Sequence, residues 1–268
     1  MSTPFDERLR RAMHRSLVCV GLDPDPAKLP TDLAGPQRLL AFNQRIVDAT
    51  ADIAAAYKPQ AAFYGALGAE AELEASIRYI RERAPDAVVI LDAKRNDIGN
   101  TAEAYAREAF DRYGADAVTI NPYMGEDSVE PFLARAERGA ILLCRTSNPG
   151  ARDFQDLDCG GLPLYRHVAR RAAERWNARR NLMLVVGATF PAEMAQLRAA
   201  HPDLPFLVPG IGAQGGDLEA TLAAGLDARR AGLLINSSRG IIYAGGGAPP
   251  AIRTAARELH EAIERHRR

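Results

Sequence analysis

Eight short apolar runs punctuate the chain, at residues 17–20, 53–57, 87–91, 117–120, 140–144, 182–186, 206–208 and 232–235. Each has strand length. None alternates cleanly with polar residues, so each is expected to be buried on both faces, as in a parallel sheet. The run at 53–57 merges into an alanine-rich, helix-like stretch, and together with 206–208 it is the least sharply bounded. Amphipathic segments fill the gaps. Residues 37–50 set Leu40, Phe42, Ile46 and Val47 near one stripe, and 101–113 is followed by Gly114, a helix stop. Residues 192–200, 217–224 and the charged stretch 251–266 read the same way. Strand then helix, eight times in 268 residues, predicts an α/β protein built as a single (β/α)8 TIM barrel over residues 1–268. A doubly wound open sheet is the competing arrangement, but no GxGxxG follows the first strand. No linker or low-complexity segment divides the chain.

Composition narrows the partners. The chain is 47% hydrophobic and 25% charged, so a large core is available, and its formal net charge is zero. No basic block precedes the final His-Arg-Arg, which argues against nucleic acid or an acidic membrane surface as partner. No apolar run reaches the roughly 18 residues of a membrane span. Residues 1–15 are charged and lack an apolar signal core, so a cytoplasmic protein is expected. Cys19, Cys144 and Cys159 show no metal-ligand spacing, and the first two sit in apolar runs where packing explains them. The five histidines are scattered through charged or loop segments, which argues against a histidine base. Only three of the 34 basic residues are lysine: Lys28, Lys58 and Lys94. Lysine can give up its proton and arginine cannot, so a retained lysine merits attention. Lys28 lies in the loop DPDPAKLP. Lys58 and Lys94 both follow apolar strands.

Barrel enzymes carry their chemistry at the C-terminal ends of the strands. The residues just past each run are Asp23; Lys58; Asp92, Lys94 and Asp97; Asn121; Thr146 and Ser147; the segment GIGAQGGD from 210; and Asn236 to Arg239 (NSSR). The sixth run, ending Gly187-Ala188-Thr189, adds little. Two glycine-containing loops after strands 7 and 8 supply backbone N–H groups, a helix N-terminus and a cation, the parts of a phosphate site, with Gln214 and Arg239 as side-chain donors. In LDAKRNDIGNTA (91–102), a strand continued through Lys94 points Asp92 and Lys94 the same way. Asp97 then falls in the following turn, within reach of its own site or a neighbouring subunit's. Paired carboxylates there fit a structural ion-pair network, a magnesium site, or an array of alternating lysine and aspartate charges that favours charge appearing only in a transition state.

Six segments in order, VGLDPDP, YKPQAAFYG, LDAKRNDIGNTA, TSNPG, PGIGAQGGD and NSSRGIIYA, resemble the orotidine 5′-phosphate decarboxylases, in particular the longer bacterial (type 2) subgroup. The resemblance spans residues 18–244. It implies conversion of orotidine 5′-monophosphate (OMP) to UMP in pyrimidine synthesis, without cofactor or metal. Lys94 would be the proton donor, flanked by Asp92 and Asp97. Asp97 would serve the partner site of a homodimer together with Thr101. Lys58 and Asp23 would hold the ribose hydroxyls, Ser147 the pyrimidine amide edge, and Gln214 and Arg239 the phosphate. The shorter family members do not explain the insert at 148–163. Two other readings remain: a magnesium-dependent phosphosugar enzyme of the same barrel, such as a 3-keto-gulonate-6-phosphate decarboxylase or a hexulose-phosphate synthase, and a non-catalytic sensor of nucleotide phosphates.

Overall fold

A computed structural model describes residues 3–211 and 215–268. Eight parallel strands form a closed barrel in chain order: β1 (Val18–Leu22), β2 (Ala56–Pro59), β3 (Val88–Arg95), β4 (Ala117–Ile120), β5 (Gly139–Arg145), β6 (Leu182–Val186), β7 (Phe206–Val208) and β8 (Leu233–Ser237). Closure comes from β8 pairing with β1, Val18 opposite Ile235. The helices are α1 (Phe5–Arg15), α2 (Arg38–Thr50), α3 (Ala61–Gly65), α4 (Glu70–Arg83), α5 (Gly99–Arg107), α6 (Glu126–Leu133), α7 (Leu164–Arg171), α8 (Pro191–Ala200), α9 (Leu218–Gly225), α10 (Arg239–Ile242) and α11 (Pro249–Arg267). The strands are buried on both faces, which is why their sequences show no alternation. No helix among the described residues is long and apolar enough to cross a membrane.

Three boundaries differ from the sequence expectation. Ile53 and Ala54 are not strand: both N–H groups bond to Thr50 O at 2.9 Å, closing the turn after α2, and pairing starts at Ala56. The alanine run suits either conformation, and the carbonyl left over at the helix end decides it. The helix expected over 101–113 is α5 followed by a wider π-helical turn at Glu108–Arg112, stopped by Gly114 at φ +66°. β3, β5 and β8 run on into polar residues, so Lys94, Arg145 and Ser237 belong to strands.

The N-terminal helix closes the far end of the barrel. Phe5, Leu9, Ala12 and Met13 form its buried stripe at helical spacing. Phe5 lies against Gly139 at the start of β5, where any side chain would overlap its ring. Burying Phe5, Leu9 and Met13 contributes on the order of 1.5–3 kcal/mol each. Interleaved charges mask this stripe in the sequence.

Candidate active site

The third strand brings the charges of the site together. Asp92 is 7% exposed and Lys58 4%. Asp92 Oδ2 accepts from Lys58 Nζ at 2.9 Å and Gln60 Nε2 at 3.1 Å; Oδ1 accepts from Lys94 Nζ at 2.6 Å and Thr119 Oγ1 at 2.8 Å. Four donors, two of them ammonium groups, occupy one carboxylate. Burial alone would raise the Asp92 pKa, but Lys58 and Lys94 outweigh it and hold the carboxyl well below its usual range. Burial alone would lower that of Lys58; Asp92 and Asp23 outweigh it and raise the ammonium above its ordinary value. Both groups are therefore charged at neutral pH. Beneath them, burial pushes the Cys19 thiol up to about 12. It stays neutral and donates to Asn236 Oδ1 at 3.5 Å.

Lys94 and Asp92 meet through an irregularity rather than through simple strand alternation. The register of β3 against β4 shifts between Leu91 and Arg95, and Lys94 has φ +47°, a left-handed conformation unusual for lysine. Thr119 holds this bulge. Its hydroxyl accepts the N–H of Ala93 and of Lys94, both at 3.0 Å, while donating to Asp92. The Lys94 side chain is half exposed in the mouth of the barrel, where a ligand could meet it.

The remaining candidates ring the same mouth. Asp23 follows β1; its Oδ1 is buried without a hydrogen-bond partner, and its backbone carbonyl accepts from the Tyr243 hydroxyl at 3.1 Å. Ser147 follows β5 and packs on Gly187, where a Cβ would stand 2.8 Å from Ser147 Cβ. The sixth strand thus contributes the absence of a side chain, and its end matters more than its lack of polar groups suggested. Arg239 opens α10, is exposed, and pairs with no carboxylate among the described residues. Gln214 lies outside the described residues. The helices that follow β7 and β8 differ at their starts: Asp217 caps α9 by accepting from Glu219 N and Ala220 N, whereas Ser238 makes no side-chain cap on α10.

Asp97 and Thr101 are not part of the array within one chain. Half-buried Asp97 accepts from Ile98 N at 2.8 Å and joins no ion pair with a described residue; Thr101 is exposed on the first turn of α5. Gln60 and Thr119 were missed in the sequence reading. A signal existed for each: Gln60 stands two residues beyond Lys58, and Thr119 is the one polar residue in the buried run AVTI.

Residues 16–253 match the family described as Orotidine 5'-phosphate decarboxylase / HUMPS family. The chain is 58% identical over 268 residues to the orotidine 5'-phosphate decarboxylase of Azoarcus sp. (strain BH72), covering 98% of this chain and 99% of that protein. It is 56% identical over 255 residues to that of Janthinobacterium sp. (strain Marseille), covering 94% of each. Among solved structures, the OMP decarboxylase of Leishmania donovani superposes with a TM-score of 0.88 at 43% identity, covering 99% of both chains. With the barrel, the lysine–aspartate array and this likeness over nearly its whole length, the chain belongs to the orotidine 5′-phosphate decarboxylase family, in its longer subgroup.

Proposed function

We propose that the Lys58–Asp92–Lys94 array carries the family reaction, decarboxylation of OMP to UMP, without a metal ion. Pyrimidine synthesis is the setting, and the cytoplasm the location. The observation that carries this reading is the engagement of Asp92 by two ammonium groups. As the bond from C6 to the carboxylate breaks, its electron pair stays on C6 and CO2 leaves. The Lys94 ammonium, held at 2.6 Å from Asp92, stabilises the negative charge as it forms and then gives C6 its proton. The half-exposed amine regains a proton from water. Asp92 keeps Lys94 in place before the reaction, so little reorganisation is needed during it. Asp23 and Lys58 hold the ribose hydroxyls, Ser147 reads the pyrimidine amide edge, and Arg239 with Gln214 grips the phosphate. Binding energy from that distant phosphate serves to close the site and exclude water.

A magnesium-assisted reaction on the same barrel fits less well. A divalent cation on Asp92 would displace Lys58 or Lys94, and among the described residues no group of three or more His, Cys, Asp or Glu is arranged to hold a metal. The test is the loss of OMP ultraviolet absorbance with and without EDTA. Turnover unchanged by the chelator is expected. Turnover abolished by it, and restored by magnesium, contradicts the reading, while UMP binding without turnover marks a sensor.

The same reading includes a homodimer in which Asp97 and Thr101 reach the partner's site. Two features support it: Asp97 has no cation in its own chain among the described residues, and exposed Ile98, Tyr123 and Met124 give the adjoining surface an apolar character. Mixing inactive Lys94→Ala and Asp97→Ala proteins should then restore up to about a quarter of the activity, by pairing one intact site in mixed dimers. No restoration after subunit exchange contradicts action across the interface.

A further inference from the structure

The insert at 148–163 sits over the end of β5 and is not anchored by apolar burial. Phe154 is 61% exposed and Leu157 50%. A cavity of about 640 Å³, lined by Phe154, Leu143, Cys144, Leu164, Tyr165 and Val168 among others, lies beneath it. Its fixed points are polar. Gln155 Oε1 accepts the Thr146 N–H at 2.9 Å, and Gln155 Nε2 donates to Thr146 Oγ1 at 2.9 Å. The Thr146 hydroxyl in turn donates to Asn148 Oδ1 at 2.7 Å. Asp156 pairs with Arg145 Nη2 at 3.1 Å, and Arg145 Nη1 donates to Gln155 Oε1 at 3.4 Å.

Arg145 is a buried cation, its side chain 1% exposed, and a buried cation needs compensation. Its guanidinium lies 3.7 Å from the Phe190 ring centroid and 5.6 Å from that of Tyr165, with Asp156 supplying the opposite charge. Its carbonyl accepts Gly187 N–H at 2.7 Å, tying the end of β5 to the glycine on which Ser147 packs. One side chain of the insert therefore grips Thr146 at both backbone and hydroxyl, one residue before Ser147.

We propose that Gln155, seated by the Arg145–Asp156 pair, is a positioning residue for base recognition. The insert is a brace: it fixes the orientation of Thr146 and so aims the Ser147 hydroxyl at the pyrimidine edge. This rests on the assignment of Ser147 to the base. Two hydrogen bonds to adjacent groups of one residue define an angle as well as a distance, and an error on the order of 1 Å in a positioning element can cost about a hundredfold in rate.

The test is a double-mutant cycle in kcat/KM for OMP, with circular dichroism melts alongside. Gln155→Ala is expected to lower kcat/KM at least tenfold with a melt close to that of the parent. Gln155→Glu, whose carboxylate still accepts from Thr146 N–H and Arg145 but cannot donate to Thr146 Oγ1, should fall between the parent and Gln155→Ala. In a Ser147→Ala background the further loss from Gln155→Ala should shrink below twofold, because the group being aimed is already gone. Equal losses in both backgrounds would show that Gln155 acts elsewhere and overturn the brace. A silent Gln155→Ala beside a damaging Ser147→Ala overturns the brace and leaves the base contact standing. A silent Ser147→Ala removes the base contact, and the brace with it. Should Gln155→Ala fail to fold, Asp156→Asn enters the same cycle, with a smaller loss that must again vanish in the Ser147→Ala background.

Discussion

Each end of the barrel buries one aspartate between cations, yet the two clusters use their donors differently. At the N-terminal end Asp116, 3% exposed, faces three arginines: Arg8 at 2.6 Å, Arg81 at 3.1 Å and Arg138 at 3.9 Å. Those arginines also donate to backbone carbonyls, Arg8 to Glu137 O, Arg81 to Gly114 O and Arg138 to Ala115 O, while Asp116 Oδ2 takes the Val89 N–H at 2.8 Å. That cluster ties strand starts together. At the C-terminal end the cations on Asp92 are lysines, and neither ammonium donates to a backbone carbonyl among the described residues. Lysine can release a proton where arginine cannot. The structural cluster and the proposed catalytic one thus differ in where their cations spend their other hydrogen bonds.

Removing each aspartate should separate the two roles. Asp92→Ala is expected to lower kcat a thousandfold or more, about 4 kcal/mol of barrier. Its melt should fall as well, because buried Lys58 loses its ion-pair partner while half-exposed Lys94 can turn to water. Asp116→Ala leaves three partly exposed arginines without their anion and the buried Val89 N–H without its acceptor, costing about 1–3 kcal/mol and several degrees in melting temperature. Its kcat, assayed well below the melt, should be unchanged. Calorimetric melts and steady-state rates on both variants check the pair; matching profiles would erase the contrast.

A smaller effect sharpens the electrostatic half. Lys58 helps hold the Asp92 pKa down, so the ionised carboxylate persists at acid pH and is lost only as pH falls through that depressed value. Lys58→Ala removes one of the two ammonium groups, and the Asp92 pKa must rise. The acid limb of kcat against pH should therefore shift upward relative to the parent, beyond the loss of rate at neutral pH. An unmoved limb would mean that Lys58 does not set the charge of Asp92.

The barrel was legible because burial on both faces leaves an uninterrupted apolar run, and eight such runs survive inspection of a single sequence. The helix α1 was not, since Phe5, Leu9 and Met13 are separated by charges that serve solvent and salt bridges. Lys58, Asp92 and Lys94 were legible as charges at the ends of buried strands, where unpaired they would be costly. The bulge that joins Lys94 to Asp92 was not, because a register shift leaves no mark in residue type. Nor was Thr119, whose hydroxyl on β4 serves three partners on β3. Gly187 was passed over for the same reason that it matters: it holds space open for Ser147.

The most direct test of the proton-donor role is single-turnover decarboxylation of OMP by Lys94→Arg, with the melt measured on the same protein. Arginine keeps the positive charge beside Asp92 but cannot supply a proton at usable pH. A folded protein with UMP formation reduced by several kcal/mol, about tenfold for each 1.4 kcal/mol, is the predicted result. UMP formation at a near-parental rate would contradict Lys94 as the group that protonates C6.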